Sequence, residues 1–356
     1  MQKLDSTKLL IPIQALDSID SSSYFIDTRT EPVSGSQITT YKLKPDCINQ
    51  IGLKSVTLNK DTEQATIELS AKALRGDYPR GISADTIEQA LSNISSDSCK
   101  LNIPRVLETS QVLRADITEN VPISSDLAYY PASLGAYRYL NSRYDFRSHN
   151  RRGNESVVIT KRAKSKGYRG RLTGYNKLGD NSRACNRDIA QYLSESDFKN
   201  TLRIEQNFKG VTDLKKALGI SDTMLQTVFN SSATPLLDTL NDITKVLDSF
   251  EGIDYMEASI MSQFAETGDK RWYDKYRKLR GDRSIASDFG NDIQQIELAL
   301  SSGGHSRKHI WSLKHNLIEA VAINRHQESL KQGKSGCVDS PYISELRSGL
   351  EQIYQQ

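Results

Sequence analysis

Apolar and polar residues alternate along several short segments of the first part of the chain, and this period of two predicts β-strands. We predict strands at residues 6–13, 37–43, 56–58, 64–70, 111–120, 156–160, 169–177 and 201–208. Pro12 is expected to restrict the first strand to a sheet edge, because proline has no amide hydrogen to donate. Short turns join neighbouring segments, as at residues 59–61, so the sheet is expected to be mostly antiparallel.

Helical spacing replaces this alternation from Asp213 onward, where leucine, isoleucine and valine recur three or four residues apart. Earlier helices are predicted at residues 83–94, 131–141 and 187–193, with a basic loop carrying His149 at residues 143–154. A chain of 356 residues exceeds the usual size of one domain. We therefore predict an α+β fold with a sheet-based domain at residues 1–220 and a helical domain at residues 221–356.

Three predicted strands place a carboxylate at the centre of their polar face: Glu68, Asp116 and Glu205. If these faces converge, they offer the hard oxygen ligands that Mg²⁺ or Mn²⁺ prefers. Such a metal polarises a phosphate oxygen and helps to fix a scissile phosphodiester. The alternative is that the carboxylates only pair with Arg114 and Arg203 on a solvated face.

The segment at residues 169–177 places a tyrosine among cations. One face of this strand carries Arg169, Arg171, Thr173, Tyr175 and Lys177, and the other carries Gly170, Leu172 and Gly174. Cations lower the cost of forming a phenolate, and a tyrosine oxygen can act as a covalent nucleophile. Tyr175 and Lys177 are therefore candidate catalytic residues. The alternative is a surface tyrosine that packs against arginines.

Charge is distributed unevenly, although the formal net charge is only +3. Residues 138–177 contain twelve lysines and arginines against two acids, Asp145 and Glu155. Such a block favours a polyanionic partner over the alternative of a solvated charged surface. The candidate DNA-binding residues are Arg162, Lys164, Lys166, Arg169 and Arg171.

Cysteine spacing and apolar runs narrow the class of protein further. The four cysteines are far apart and show no CxxC spacing, so neither a zinc site nor a disulfide framework is indicated. The start of the chain has no apolar stretch of signal-peptide length, and no run reaches the roughly 18 apolar residues of a membrane span. We expect a cytoplasmic protein with no membrane contact.

Five ordered segments resemble the rolling-circle replication initiators of filamentous phages, the gene-two type, and their plasmid relatives. The matching segments are Ile67-Glu68-Leu69-Ser70-Ala71-Lys72, Val112-Leu113-Arg114-Ala115-Asp116-Ile117-Thr118, Glu155-Ser156-Val157-Val158, Gly174-Tyr175-Asn176-Lys177, and Leu202-Arg203-Ile204-Glu205 followed by Leu214-Lys215-Lys216-Ala217-Leu218-Gly219-Ile220. Their order and rough spacing agree with the family from about residue 60 to residue 220.

The resemblance implies a metal-dependent nickase that cuts one strand at a replication origin and rejoins it. By resemblance, Tyr175 of the Tyr-x-Lys strand becomes linked to the 5′ phosphate of the nicked DNA. The implied partners are double-stranded origin DNA, the nicked single strand, and a host helicase and polymerase, with a homodimer left open. Two departures stand out: Asp180 occupies a position where the family often has glutamate, and the His-hydrophobic-His motif of other rolling-circle nickases is missing.

Three alternative interpretations remain open at this point. Residues 269–280 mix Tyr273 and Tyr276 with lysines and arginines, which suits DNA binding or a second nucleophilic tyrosine; the alternative is inward-packed aromatics with cations outside. His305 and His309 share helical spacing, and we prefer surface histidines near DNA-binding residues to a zinc site there. The rival function is a non-catalytic, sequence-specific DNA-binding regulator.

The basic block generates the first prediction. Replacing Arg162, Lys164, Lys166 and Arg169 by neutral residues is expected to weaken duplex binding and to flatten its salt dependence, because the number of counterions released on binding falls with each phosphate contact that is lost. Binding titrations over a series of salt concentrations measure the slope. An unaltered slope would place the DNA on another surface.

Overall fold

The fold is built on one large antiparallel sheet. The computed structural model describes residues 1–44, 52–95, 99–124, 127, 130–131, 134, 143–149, 156–162, 171–181, 187–244 and 341–355. In these residues ten strands form a sheet in the order β3-β4-β5-β6-β1-β8-β12-β11-β10-β9, with β2 and β7 paired separately. The strands are β1 (Leu4–Pro12), β2 (Leu16–Ile19), β3 (Tyr24–Thr30), β4 (Gln37–Leu43), β5 (Leu53–Asn59), β6 (Gln64–Ser70), β7 (Cys99–Leu101), β8 (Gln111–Pro122), β9 (Tyr144–His149), β10 (Ser156–Lys161), β11 (Arg171–Asn176) and β12 (Thr201–Phe208). The predicted mostly antiparallel sheet is confirmed.

Short helices connect and cover the strands. The α-helices of the described ranges are α1 (Ile87–Ile94), α2 (Ile103–Thr109), α3 (Lys177–Asn181), α4 (Arg187–Ala190), α5 (Val211–Leu218), α6 (Leu225–Phe229), α7 (Pro235–Ile243) and α8 (Pro341–Gln355). A 3-10 segment at Ala71–Arg80 follows β6, and shorter ones lie at Ile13–Ala15, Ser21–Ser23 and Glu195–Phe198. No helix in this part of the chain is long and apolar enough to cross a membrane.

The two halves of the sheet have the same connectivity. In the first half, β1 is followed by the meander β3-β4-β5-β6, whose last strand returns to pair with β1. In the second half, β8 is followed by the meander β9-β10-β11-β12, whose last strand returns to pair with β8. The two leading strands, β1 and β8, pair with each other and so join the halves at the centre of the sheet.

The position of β1 corrects one expectation. Pro12 was expected to hold this strand at an edge, but β1 lies at the centre, between β6 and β8. Its pairing with β8 ends at Leu10, whereas the pairing with β6 continues to Pro12. Pro12, which has no amide hydrogen, therefore lies at the end of the strand, beyond the last residue of β1 that pairs with β8. Its presence removes no hydrogen bond between β1 and β8.

Strand alternation separates an apolar face of the sheet from a polar face. Side chains on the apolar face are buried and pack beneath α5, α7 and α8; examples are Leu9, Ile67, Ala115, Ile117 and Ile204. Cross-strand register then aligns the polar residues on the opposite face. Glu68 lies opposite Lys8 on β1, Lys8 opposite Arg114 on β8, and Asp116 opposite Asn207 on β12.

Helices beyond residue 220 pack into the same core as the sheet. Phe229, Leu240, Leu346 and Leu350 are all buried in the cluster that contains the strand residues. The Gln2 side chain also donates to the backbone carbonyls of residues 231 and 233, at 3.0 and 2.8 Å. Residues 245–340, which hold most of the predicted helical domain, lie outside the described residues, so the domain boundary near Ile220 stays a prediction.

Several predictions of individual strands, loops and helices can be compared with the structure. Residues 144–149, expected to belong to a basic loop, form β9, which pairs with β10 through the register His149 to Ser156. The strand β3 was not predicted, because six of its seven residues are exposed and its sequence lacks a buried face. The hairpin of β10 and β11 is confirmed. Most of the helix predicted at residues 131–141 lies outside the described residues.

The shared core generates a stability prediction. Leu346→Ala is expected to lower the free energy of unfolding by about 2–5 kcal/mol, because it removes a fully buried side chain from the contact between α8 and the sheet. Chemical denaturation measures the change. The matched control is Ser348→Ala, an exposed residue of the same helix, for which a change within about 0.5 kcal/mol is expected. Equal effects of the two replacements would mean that α8 is not part of the core.

Candidate active site

Tyr175 and Glu205 meet on the polar face, where β11 pairs with β12. Tyr175 lies directly opposite Arg203 in the register, and Glu205 follows on the same face of β12. The phenol donates a hydrogen bond of 2.5 Å to Glu205 Oε1. The same oxygen accepts a second bond of 2.9 Å from Arg203 Nε. The predicted nucleophile is therefore held by a carboxylate whose own position is fixed.

Arg203 is the centre of this cluster. Its side chain has no solvent exposure, and its guanidinium donates to Asp5 Oδ1 at 2.5 Å and to Asn120 Oδ1 at 3.4 Å. The ring of Tyr78 lies against the guanidinium, 5.2 Å from ring centroid to Cζ. A fully buried cation is tolerated only when it is paired and hydrogen-bonded, and Arg203 has both kinds of partner.

Asp5 reaches Arg203 because of an irregularity in β1. Leu4 pairs with Ile117 and Ser6 pairs with Asp116, so β1 contains one more residue than β8 between these pairs. The extra residue is Asp5, and its carboxylate accepts from Arg203 and, at 3.2 Å, from the Tyr78 hydroxyl. A bulge of this kind re-aims one side chain, and here it turns an acid toward the buried cation.

Lys177 lies beside the phenol, although it is not a strand residue. It begins α3, directly after β11 ends at Asn176. Its Nζ lies 3.4 Å from the Tyr175 hydroxyl and donates to Asp180 Oδ2 at 3.0 Å. Lys177 was expected on the strand face with Tyr175; the chain turns into a helix there, and the long side chain still reaches the tyrosine. Asp180 is thereby a partner of Lys177.

The protonation of Tyr175 differs from the sequence-based expectation. Burial raises the pKa of the phenol well above its usual value, and the Glu205 carboxylate raises it further, while Arg203 opposes both effects. Arg203 therefore lowers the cost of forming a phenolate, as expected of a neighbouring cation, but burial and Glu205 outweigh it. Tyr175 is a neutral phenol near pH 7, and an attack by its oxygen would require a proton acceptor.

The two acids around Arg203 respond in opposite directions. For Glu205, burial and the negative charge of Asp5 raise the pKa of the carboxyl, against the attraction of Arg203 and Lys177. For Asp5, burial acts to raise the pKa, but the attraction of Arg203 and Lys177 outweighs it and the pKa lies below its usual value. Of the two carboxylates, Asp5 therefore has the stronger preference for the ionised form, and Glu205 is the better proton acceptor.

The three predicted metal ligands share the polar face but do not form one ligand group. Glu68 lies 3.7 Å from Arg114 and 3.8 Å from Lys54, and Asp116 lies 3.7 Å from Arg114, so a cation separates the two acids. Asp116 also accepts hydrogen bonds from the Ser6 hydroxyl and the Asn207 amide. Among the described residues no group of three acids, histidines or cysteines is placed to hold an ion. As arranged, the residues do not fit one shared metal, whose binding stays a prediction.

The predicted DNA-binding residues lie only partly within the described ranges. Arg162 follows β10 and forms an exposed ion pair of 2.6 Å with Asp145. Arg171 begins β11 and is exposed, with its Nε 3.2 Å from the Thr173 hydroxyl. Lys164, Lys166 and Arg169 lie outside the described residues, as do Tyr273, Tyr276, His305 and His309.

Asp5, Tyr78 and Asn120 belong to the cluster but were not predicted. Asp5 and Arg203 are 198 residues apart in the chain. The alternation of β12 places Arg203 on the face of Glu205, and that signal was available. Nothing in the local sequence marks Asp5, because its role depends on a bulge in the pairing of β1 with β8.

Comparison with known proteins adds no assignment to this geometry. No protein-family model, no curated protein and no solved structure matches the chain. The chemistry of the site therefore has to be argued from its own residues.

The buried cation generates a stability prediction. Arg203→Met is expected to lower the free energy of unfolding by about 3–5 kcal/mol, because it leaves Asp5 and Glu205 as uncompensated partly buried acids. Thermal or chemical denaturation near pH 7 measures the loss. Arg171→Met, at an exposed position on the neighbouring strand of the same face, is the control and is expected to have little effect. A small loss for Arg203→Met would show that the cluster does not depend on its cation.

Proposed function

We propose that this protein is a rolling-circle replication initiator: a site-specific, single-strand DNA endonuclease and strand transferase that acts at a replication origin through a 5′-phosphotyrosine link. The nucleophile is Tyr175. The reaction exchanges one phosphodiester for another of similar energy, so the nicked strand can be rejoined without ATP. The substrate is double-stranded origin DNA, and a host helicase and polymerase act on the product.

The observation that carries the proposal is the contact of the Tyr175 hydroxyl with Glu205 Oε1 at 2.5 Å, with Lys177 Nζ 3.4 Å from the same hydroxyl. A tyrosine nucleophile needs a group that removes its proton and a cation that offsets the charge of the attacked phosphate. Both are in place around Tyr175. The Tyr175 residue as a whole is partly exposed on the polar face of the sheet.

Basic residues near β10 and β11 supply the DNA contacts in this proposal. Arg171 is exposed on the strand that carries Tyr175, and Arg162 follows the neighbouring strand. The cationic connection at residues 163–170 joins them in sequence. Cations along this hairpin hold phosphates on either side of the scissile bond, and this neutralisation is independent of base sequence.

Metal dependence is part of the proposal, although no step is assigned to an ion. Mg²⁺ or Mn²⁺, when bound, would polarise the scissile phosphate. Glu68 and Asp116 are acids of the polar face that lie outside the cluster around Arg203, but Arg114 lies between them. Binding of one ion by both acids would require Arg114 to move aside.

A second function is favoured by one observation. The Tyr175 hydroxyl is a neutral phenol bonded within a paired, largely buried network, which is also how a purely structural tyrosine is held. A non-catalytic, sequence-specific DNA-binding regulator with the same basic hairpin is therefore the rival. It predicts origin binding without strand cleavage.

Tyr175→Phe separates the two functions. It removes the nucleophilic oxygen but keeps the ring, so folding and origin binding are expected to survive while nicking and the covalent adduct disappear. The assay incubates supercoiled DNA carrying the cognate origin with the protein and Mg²⁺, and it scores relaxed circles and protein linked to the 5′ end. Omitting the metal or adding a chelator is expected to abolish cleavage.

Tyr192→Phe is the matched control, since Tyr192 is exposed and its ring only lies near Arg75, 5.9 Å away. It is expected to nick like the unaltered protein. Persistence of the adduct in Tyr175→Phe, with its loss in Tyr273→Phe or Tyr276→Phe, would move the nucleophile to residues 269–280. Origin binding without any cleavage by the unaltered protein would favour the regulator.

A further inference from the structure

We infer that Glu205 is the general base that takes the phenolic proton of Tyr175, and that Arg203, held by Asp5, is a positioning residue that fixes the accepting oxygen. This inference rests on the proposed function, and it gives Glu205 a different role from that of a metal ligand. Its basis is the arrangement in which Glu205 Oε1 accepts from both Tyr175 Oη and Arg203 Nε, at 2.5 and 2.9 Å.

Glu205 is the group around the phenol that is able to accept a proton. Lys177 Nζ, the other polar contact of the hydroxyl in the described residues, is a cation that donates to Asp180 and has no free electron pair. Burial raises the pKa of Tyr175, so spontaneous ionisation near pH 7 is rare. Nucleophilic attack at useful rates therefore depends on a base in contact with Tyr175.

The charged groups that face Glu205 are Asp5 on β1, Arg203 on β12 and Lys177 at the start of α3. Three uncharged groups complete the surroundings: Tyr175 on β11 donates to Glu205, while Asn120 on β8 and Tyr78 in the 3-10 segment contact Arg203. Burial and Asp5 raise the pKa of Glu205 above its usual value, which makes its carboxylate a stronger base than a solvated glutamate. The nearby acid thus favours proton uptake by Glu205.

Arg203 and Asp5 determine where the accepting oxygen lies. The guanidinium is planar and buried, and it spans from Asp5 Oδ1 to Glu205 Oε1, so the bulge of β1 sets the position of the base on β12. The hydrogen bond from Arg203 restricts rotation of the Glu205 carboxylate and so keeps Oε1 in line with the phenol. Neither Arg203 nor Asp5 bonds the Tyr175 hydroxyl in the described structure.

The chemical step balances as follows. The Tyr175 oxygen attacks the scissile phosphorus while its proton passes to Glu205 Oε1; the new Tyr–O–P bond forms as the bond from phosphorus to the 3′ oxygen breaks. The leaving 3′ oxygen takes a proton from solvent. In rejoining, a 3′ hydroxyl gives its proton to solvent and attacks the phosphotyrosine, the bond from phosphorus to the Tyr175 oxygen breaks, and the protonated Glu205 returns its proton to that departing oxygen. No redox partner or nucleotide cofactor enters either direction.

Glu205→Gln tests the inference, because a glutamine can still accept from Tyr175 and Arg203 but is a very poor proton acceptor. Single-turnover nicking of supercoiled origin DNA by the full chain is expected to fall about 10²–10⁴-fold near pH 7, with origin binding retained. The dependence of the nicking rate on pH then tests whether Glu205 acts as a general base. The unaltered protein is expected to reach a plateau above the pKa of Glu205, whereas the variant is expected to gain about tenfold per pH unit as the phenolate fraction rises.

Three results would overturn the inference. They are an unchanged rate in Glu205→Gln, a loss of equal size at every pH, and recovery by added Mn²⁺ instead of by raised pH, which would identify Glu205 as a metal ligand. If Glu205→Gln fails to fold, Glu205→Asp serves instead: it keeps the carboxylate, and its reduced rate is expected to follow a pH profile of unaltered shape. A variant profile that rises like that of a protein without a base would contradict the inference.

The chain offers a matched control elsewhere. Tyr130 donates a hydrogen bond of 2.5 Å to Glu345 Oε2, which makes a second tyrosine and glutamate pair, with its acid on α8. Glu345→Gln makes the same chemical change and is expected to leave the nicking pH profile unaltered. Failure of the proposed function is distinguishable: if Tyr175→Phe still forms the adduct, the nucleophile is wrong, whereas an inactive Tyr175→Phe with a fully active Glu205→Gln refutes only the base.

Discussion

The burial of one positive charge constrains the polar face of this sheet. Arg203 has no exposed side-chain surface, so its charge has to be balanced within the fold. Asp5 and Glu205 supply that balance, and Asn120 and Tyr78 complete the contacts of the guanidinium. Four segments that are remote in sequence are thereby held around one group, and Tyr175 is bonded to the cluster through Glu205.

The architecture explains why this cluster lies where it does. Two halves of equal connectivity meet through β1 and β8, and β12 pairs with β8 on one side and β11 on the other. The strand carrying Arg203 and Glu205 is thus two positions from β1, close enough for Asp5 at the bulge to reach it. Helices beyond residue 220 pack beneath the seam between the halves.

Our proposal of covalent chemistry at phosphorus, in preference to simple recognition, depends on the bond between Tyr175 and Glu205. Surface contacts to DNA need only exposed cations, which the hairpin of β10 and β11 offers. A neutral phenol in short contact with a carboxylate of raised pKa is a more demanding arrangement, since burial of both groups is costly unless they bond to each other. The proposed nickase uses the bonded pair of Tyr175 and Glu205 in its chemical step, whereas the proposed regulator does not.

The sequence by itself determined many of the strands, the antiparallel class of the sheet and the face on which Glu68, Asp116 and Glu205 lie. Residues 37–43, 64–70 and 201–208 were predicted with the bounds of β4, β6 and β12. In β6 and β12 one face is buried, and such a strand shows its period of two locally. Only the tertiary structure decided the central place of β1, the pairing of Asp5 with Arg203 across 198 residues, and the separation of Glu68 from Asp116 by Arg114. Those features depend on strand order, register and a bulge, which arise from contacts between distant segments and leave no periodic signal in either segment alone.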